Sequence, residues 1–185
     1  IDSTRFDDEI FDRGRDSHRV DRAYDAPISA VSFNWNAVNI FVKPTEIGKA
    51  PQVVLDPENQ LVDLRNKAVT KGKLGKGIEV SRFNENGRDV VEVRGFIGAE
   101  EKEIVIYKNV SDPSLWVAEH LKQFLKQRGI SFKGKVVKGT CSAESKSVAA
   151  VEGKQIYEMV ADMLKYSNNF VAEMLVKNLG ADKVK

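Results

Sequence analysis

The sequence predicts a mixed α/β fold of the α+β kind, with strands dominating the middle of the chain, a helix after them and a helical segment near its end. Short apolar runs alternate in and out across residues 28–107, and Asn86-Gly87 sits between two of them. Apolar residues recur every three or four positions over 113–128 and again over 154–180. A period of two before and of 3.6 after divides the chain into strand and helix territory.

Residues 1–23 are dense in charge, with Asp7, Asp8, Glu9, Asp12, Asp16 and Asp21 among five arginines. Such a mixture reads as a solvated loop or short helix. The D-x-[DN]-x-[DN]-G calcium pattern is absent, so no metal is expected. Residues 28–43 read as two strands, Val31, Phe33 and Trp35 alternating before a turn at Asn34–Asn36, then Val38, Ile40 and Val42. Val53-Val54-Leu55 is a short strand stopped by Asp56-Pro57. Residues 65–77 are basic and glycine-rich but match no phosphate-binding pattern, so they read as a solvated loop. The segments 78–83 and 90–96 form a hairpin about Asn86-Gly87, because both residues tolerate positive φ. Residues 103–107 add a strand.

The helix over 113–128 has the clearest ends: Asp112 to cap it, Pro113 in its first turn, Gly129 at its exit. Leu115, Ala118, Leu121 and Leu125 make its inward stripe, and His120 is expected at a surface or rim. Residues 133–139 and 148–151 read as strands, and Gly180 as the end of the last helical segment. In that segment Ile156, Val160, Met163, Ser167, Phe170, Val171, Met174 and Leu175 fall on one stripe. A serine there is a helix cap, a satisfied core hydroxyl or part of a cleft. The residues leave these open, with N-capping the plainest account.

Composition excludes several functions. The 185 residues carry 29 Lys plus Arg against 27 Asp plus Glu, a net charge of +2, so there is no bulk electrostatic case for nucleic acid. At 42% hydrophobic the chain suits a folded domain. Its one cysteine, Cys141, cannot form an internal disulfide and is expected to be a small buried residue. No apolar run approaches the roughly 18 residues that span a bilayer. No leader peptide is recognised, and Ile1-Asp2-Ser3-Thr4-Arg5 reads as the middle of something longer. No cofactor is expected.

One stretch carries chemistry. Lys165-Tyr166-Ser167-Asn168-Asn169-Phe170-Val171-Ala172-Glu173 contains Ser-x-Asn at a break between two helical runs. It resembles the second motif of penicillin-recognising serine hydrolases, which combine S-x-x-K, S-x-N and K-T-G. With Tyr24-Asp25-Ala26-Pro27 leading into 28–31, the strand-rich middle and the helix ending near Gly129, the chain is similar to the D-alanyl-D-alanine carboxypeptidase/endopeptidase family of penicillin-binding protein 4. No S-x-x-K occurs, and Lys138-Gly139-Thr140 has the K-T-G residues in the wrong order. The resemblance therefore implies an internal fragment, inactive alone, whose partners are the segments of the same polypeptide that bear those motifs.

The resemblance implies a first inserted strand-rich domain over 1–44 and 106–150, and a second over 45–105. Residues 150–185 would be the helical edge of a penicillin-binding-protein/β-lactamase-like transpeptidase domain. It implies catalytic roles for Ser167, as a proton-relaying hydroxyl, and Asn169, as an amide that orients substrate, with a kink at 166–169. Tyr24 would help frame the substrate pocket. The family has an acidic residue five positions before that aromatic, where Arg19 stands here. The implied substrate is the peptidoglycan stem peptide, with β-lactam antibiotics as acylating inhibitors and a periplasmic location. The alternatives are a non-catalytic, strand-rich cell-wall or protein interaction module, and a degenerate family member that binds without turnover.

Overall fold

Asn86 and Gly87 both adopt positive φ, 53° and 80°, and the two longest strands leave from that turn. The computed structural model describes residues 1–12, 14 and 21–183. They form two units, one of Ile1–Val20, Tyr24–Asn36 and Asp112–Lys185, the other of Asp21–Ala23 and Ala37–Ser111. Mixed α/β architecture is observed, with seven strands and three helices among the described residues.

The second unit holds both sheets. Strand β1 (Ala37–Lys43) lies between β2 (Gln52–Asp56) and β7 (Ile104–Asn109), antiparallel to each. Strand β6 (Arg88–Gly98) pairs antiparallel with β5 (Lys76–Glu85). It pairs in parallel with β3 (Val62–Asn66) and then, further along, with β4 (Val69–Lys71). Val38, Ile40 and Val42 of β1 and Val90, Val91, Val93 and Ile97 of β6 are essentially inaccessible, as central strands require. Gly95 takes φ +95°, and a Cβ there would stand 1.9 Å from the Gly77 carbonyl oxygen, so the β5–β6 approach needs glycine. Part of the 65–77 segment expected as a loop is strand: β3 ends in it, β4 lies in it and β5 starts in it, leaving 67–68 and 72–75 as connections.

A polar cluster is buried in this unit. The Arg82 guanidinium donates to Asp89 Oδ1 at 3.4 Å and also to Asn109 Oδ1, while Asp89 Oδ2 accepts from the Ser111 N–H at 2.8 Å. Asp21 accepts from Lys108 Nζ at 2.6 Å. Removing one member of such a set leaves a buried charge unpaired, at a cost of about 3–5 kcal/mol.

The first unit contains α1 (Pro113–Gln127), α2 (Ile156–Tyr166) and α3 (Asn169–Lys183). Asp112 caps α1, its carboxylate accepting from the Leu115 N–H at 3.0 Å, and Gly129 exits at φ +75°. The expected first strand over 28–35 is not formed. Asn34, Trp35 and Asn36 all take positive φ, at 50°, 55° and 50°, which a strand cannot. The fully buried Asn36 amide holds this turn. Its Nδ2 donates to Pro27 O at 2.9 Å and Ser32 Oγ at 3.2 Å, and its Oδ1 accepts from the Phe33 N–H at 3.2 Å. Trp116 Nε1 donates to the Phe33 carbonyl at 3.2 Å, so that oxygen has no ladder to join.

The buried side of α1 is Pro113, Ser114, Trp116, Ala118 and His120, whereas Leu121 is half exposed. Trp116 wins the inward position because its ring is far larger than leucine and its N–H finds a carbonyl. His120 is therefore not at a rim: it is 1% exposed, its ring 4.2 Å from that of Trp116 and 4.9 Å from that of Phe33. Nδ1 lies 2.7 Å from the Trp116 carbonyl, which can only accept, so Nδ1 carries the proton. Burial pushes the imidazole pKa below 6.5, and the Trp116 carbonyl offsets this in part. The folded state thus disfavours the charged ring, while the unfolded ring titrates normally. Stability is full above pH 6.5 and falls as pH drops through the folded pKa. Urea midpoints measured at pH 7, 6 and 5 are expected to decline, and to decline less in His120→Phe.

Two other expected strands are absent. Residues 133–139 join no sheet and bend at Gly134, Gly139 donating its N–H to Ile1 O at 3.0 Å. Val148 and Val151 are 99% and 97% exposed, since two valines alone give no buried face. Cys141 is exposed rather than buried, its backbone N–H donating to Asp2 Oδ2 at 2.7 Å. Helix α3 runs past Gly180 to Lys183. No described helix is long and apolar enough to cross a membrane.

Candidate functional site

Apolar periodicity carries α2 as far as Tyr166, and the next residue ends it. Ser167 adopts φ 49°, ψ 44°, the left-handed region, with its backbone N–H returning to the Met163 carbonyl. That conformation costs a residue with a Cβ about 1–2 kcal/mol relative to right-handed helix. The chain restarts at once. Asn168, 4% exposed, caps α3 by accepting the Val171 N–H on Oδ1 at 3.0 Å. The kink expected at 166–169 is thus present, but the N-cap is Asn168, while Ser167 is the C-cap of α2. Capping both helices with adjacent residues gives a short break, with the buried position taken by Asn168.

Ser167 is exposed. Asn169 opens α3 and donates from Nδ2 to Asp25 Oδ1 at 2.8 Å. Asp25 is wholly buried and follows Tyr24, which is 39% exposed. Phe170 packs with Ala26 and Ile28, with Phe6, Val171 and Met174 at the margin of that cluster. The Tyr24–Ile28 and Asn168–Met174 stretches therefore meet through the Asn169–Asp25 hydrogen bond and an apolar cluster, across 144 residues of sequence. Two of the residues singled out in the sequence, Tyr24 and Asn169, are brought to the same place through Asp25. Nothing in the sequence signalled Asp25 itself, because its partner is remote and its neighbours are the more distinctive residues.

Two aromatic rings stand beside the break. Trp35, 44% exposed on its left-handed turn, meets Tyr166 with centroids 6.3 Å apart and planes at 60°. An apolar hollow of about 310 Å³ is lined by Trp35, Met159, Phe170, Met174 and Leu175, with the Lys154–Asp162 ion pair at its edge. The Asp162 carboxylate raises the Lys154 ammonium above its ordinary pKa. No residue of α2 is buried among the described residues, so the stripe from Ile156 to Met163 is a surface here. Arg19, Asp16 and His18 lie outside the described residues. Asp21, the nearest described acidic residue before Tyr24, is engaged with Lys108 and with the Arg82 N–H at 3.3 Å. Among the described residues no cluster of His, Cys, Asp and Glu could hold a metal ion.

The chain is similar to proteins of known structure and sequence. A D-alanyl-D-alanine carboxypeptidase of Actinomadura sp. (strain R39) is 27% identical over 169 residues, 86% of this chain and 31% of the relative. Penicillin binding protein 4 from Haemophilus influenzae superposes with a TM-score of 0.73 at 15% identity, covering 95% of this chain and 39% of that one. The same protein in complex with a novel β-lactam gives 0.59 over 82% of this chain and 35% of that one. At that identity the superpositions establish the fold alone, and the chain spans about a third of the curated relative's length. The D-Ala-D-Ala carboxypeptidase 3 (S13) family model matches residues 1–185. With its whole length matched and its fold shared with penicillin binding protein 4, the chain belongs to the D-Ala-D-Ala carboxypeptidase 3 (S13) family.

Proposed function

We propose that this chain is part of a penicillin-sensitive, serine-type D-Ala-D-Ala carboxypeptidase/endopeptidase that cleaves peptidoglycan stem peptides through an acyl-enzyme. The observation that carries the reading is the left-handed break at Ser167. On a regular helix, side chains two residues apart diverge by about 200°. The break frees Ser167 and Asn169 from that phase, and the strained backbone is of the kind found at functional sites.

In this reading a serine from an S-x-x-K segment elsewhere in the polypeptide attacks the penultimate D-alanine carbonyl. Its proton passes to the neighbouring lysine amine, and two backbone N–H groups hold the oxyanion. Collapse breaks the C–N bond. The Ser167 hydroxyl, which both accepts and donates, carries a proton from the lysine to the departing D-alanine nitrogen. Asn169 orients the stem peptide by its amide, and exposed Tyr24 frames the pocket. Water then hydrolyses the ester and releases the serine. A β-lactam acylates the same serine, but its leaving nitrogen stays tethered. A wall-derived substrate suits a periplasmic location.

Because neither S-x-x-K nor K-T-G occurs in these 185 residues, the isolated chain is expected to be inert. Intact mass after incubation with benzylpenicillin tests this. The full-length protein should gain one penicillin and the isolated chain none. A gain on the isolated chain would refute the motif assignment. Reaction by neither would favour a non-catalytic interaction module or a degenerate relative.

A further inference from the structure

Asn169 has two chemically different ends of nearly identical shape, and a site that uses its amide must decide which end faces the substrate. A carboxylate can only accept, so the end that meets Asp25 Oδ1 at 2.8 Å is Nδ2. One of the two Nδ2 hydrogens is thereby used, and Oδ1 is turned away from Asp25. The carboxylate that imposes this is fully buried, and the next residue, Ala26, is fully buried as well. On the other side of the bond, Phe170 is locked against Ala26 and Ile28. Both partners of the hydrogen bond therefore sit on backbone that is fixed independently of it.

We infer that Asp25 is a positioning residue for Asn169: it sets the flip and rotamer of the amide, leaving one N–H and the Oδ1 acceptor to serve the reaction. The inference rests on the S-x-N reading given above. Two physical effects follow from the contact. The side-chain freedom that Asn169 would lose on meeting substrate is already lost in the free protein. The negative charge at the Nδ2 end also polarises the amide, making Oδ1 a stronger acceptor for a cationic group such as an ammonium. A neutral partner would orient the amide but polarise it less. Asp25 would touch neither substrate nor nucleophile.

A double-mutant cycle in the full-length protein separates this role from a general contribution to folding. Asp25→Ala, Asp25→Asn, Asn169→Ala and the pair Asp25→Ala/Asn169→Ala are compared by second-order acylation rate with benzylpenicillin, followed by intact mass, and by melting temperature. Asp25→Ala is expected to slow acylation about tenfold, as small misplacements of a reacting constellation do. Asp25→Asn, whose carbonyl can still accept from Nδ2, should recover most of that loss. In the Asn169→Ala background, removing Asp25 should leave the residual rate unchanged.

An equal slowing in both backgrounds would mean that Asp25 acts through the fold at large and overturn the inference. So would a wild-type rate for Asp25→Ala. Should Asp25→Ala fail to fold, Asp25→Ser carries the same comparison, being polar but too short to reach Asn169. If Asn169→Ala itself acylates at the wild-type rate, the S-x-N reading fails, and the two failures are thereby distinguished.

Discussion

Ser167→Ala in the full-length protein is expected to slow acylation by benzylpenicillin at least a hundredfold, the usual scale of a lost acid–base group at about 10²–10⁴. Ser167→Gly should slow it as much while raising stability by up to about 1 kcal/mol. Both variants remove the hydroxyl. Only glycine also removes the Cβ that makes φ 49° costly. A residue present merely to end α2 gives the same gain in stability, because glycine is the better C-cap, but leaves acylation intact. Stopped-time intact mass and a melting curve on the two variants measure both quantities. Wild-type acylation by Ser167→Gly would assign Ser167 to capping and nothing more.

Trp116→Ala is expected to destabilise the unit that carries the S-x-N break by about 3–5 kcal/mol. The indole is 1% exposed, packs at a tilt against His120 and donates to the Phe33 carbonyl. Its loss would leave a cavity beside the imidazole and remove the hydrogen bond that fastens the turn at 34–36 to α1. Trp116→Phe, which fills most of the space but donates nothing, should fall between. Urea denaturation followed by circular dichroism reads the difference. A loss below about 1 kcal/mol for alanine would show that the turn is held by Asn36 alone.

Features written in local chemistry were readable from the sequence. The Asn86-Gly87 hairpin, the Asp112 cap and the Gly129 exit each depend on residues within a few positions, and each forms as expected. The alternation of Val31, Phe33 and Trp35 was equally regular, yet no strand forms. A buried amide at Asn36 and an indole 83 residues from Phe33 claim the backbone groups that a ladder would use. His120 likewise looks like any polar residue on a helix until the rings of Phe33 and Trp116 surround it. In the candidate site, the motif residues were legible because their order is distinctive. Asp25 and the cap at Asn168 were not, since one depends on a contact across 144 residues and the other on which residue of a two-residue break restarts the helix.

Strand β6 serves two short parallel neighbours in succession, β3 along residues 89–93 and β4 along 96–98, while β5 follows it along 88–97. The register therefore implies an order of assembly. Closing the two-residue turn at Asn86-Gly87 loses little chain entropy, whereas docking β3 on β6 must close a loop of more than twenty residues. The hairpin is the natural nucleus, forming in about 1–10 μs, and its free edge then templates β3 and β4. Kinetic φ-values near one at Val80 and Val93, with values near zero at Leu64, would record that sequence of events.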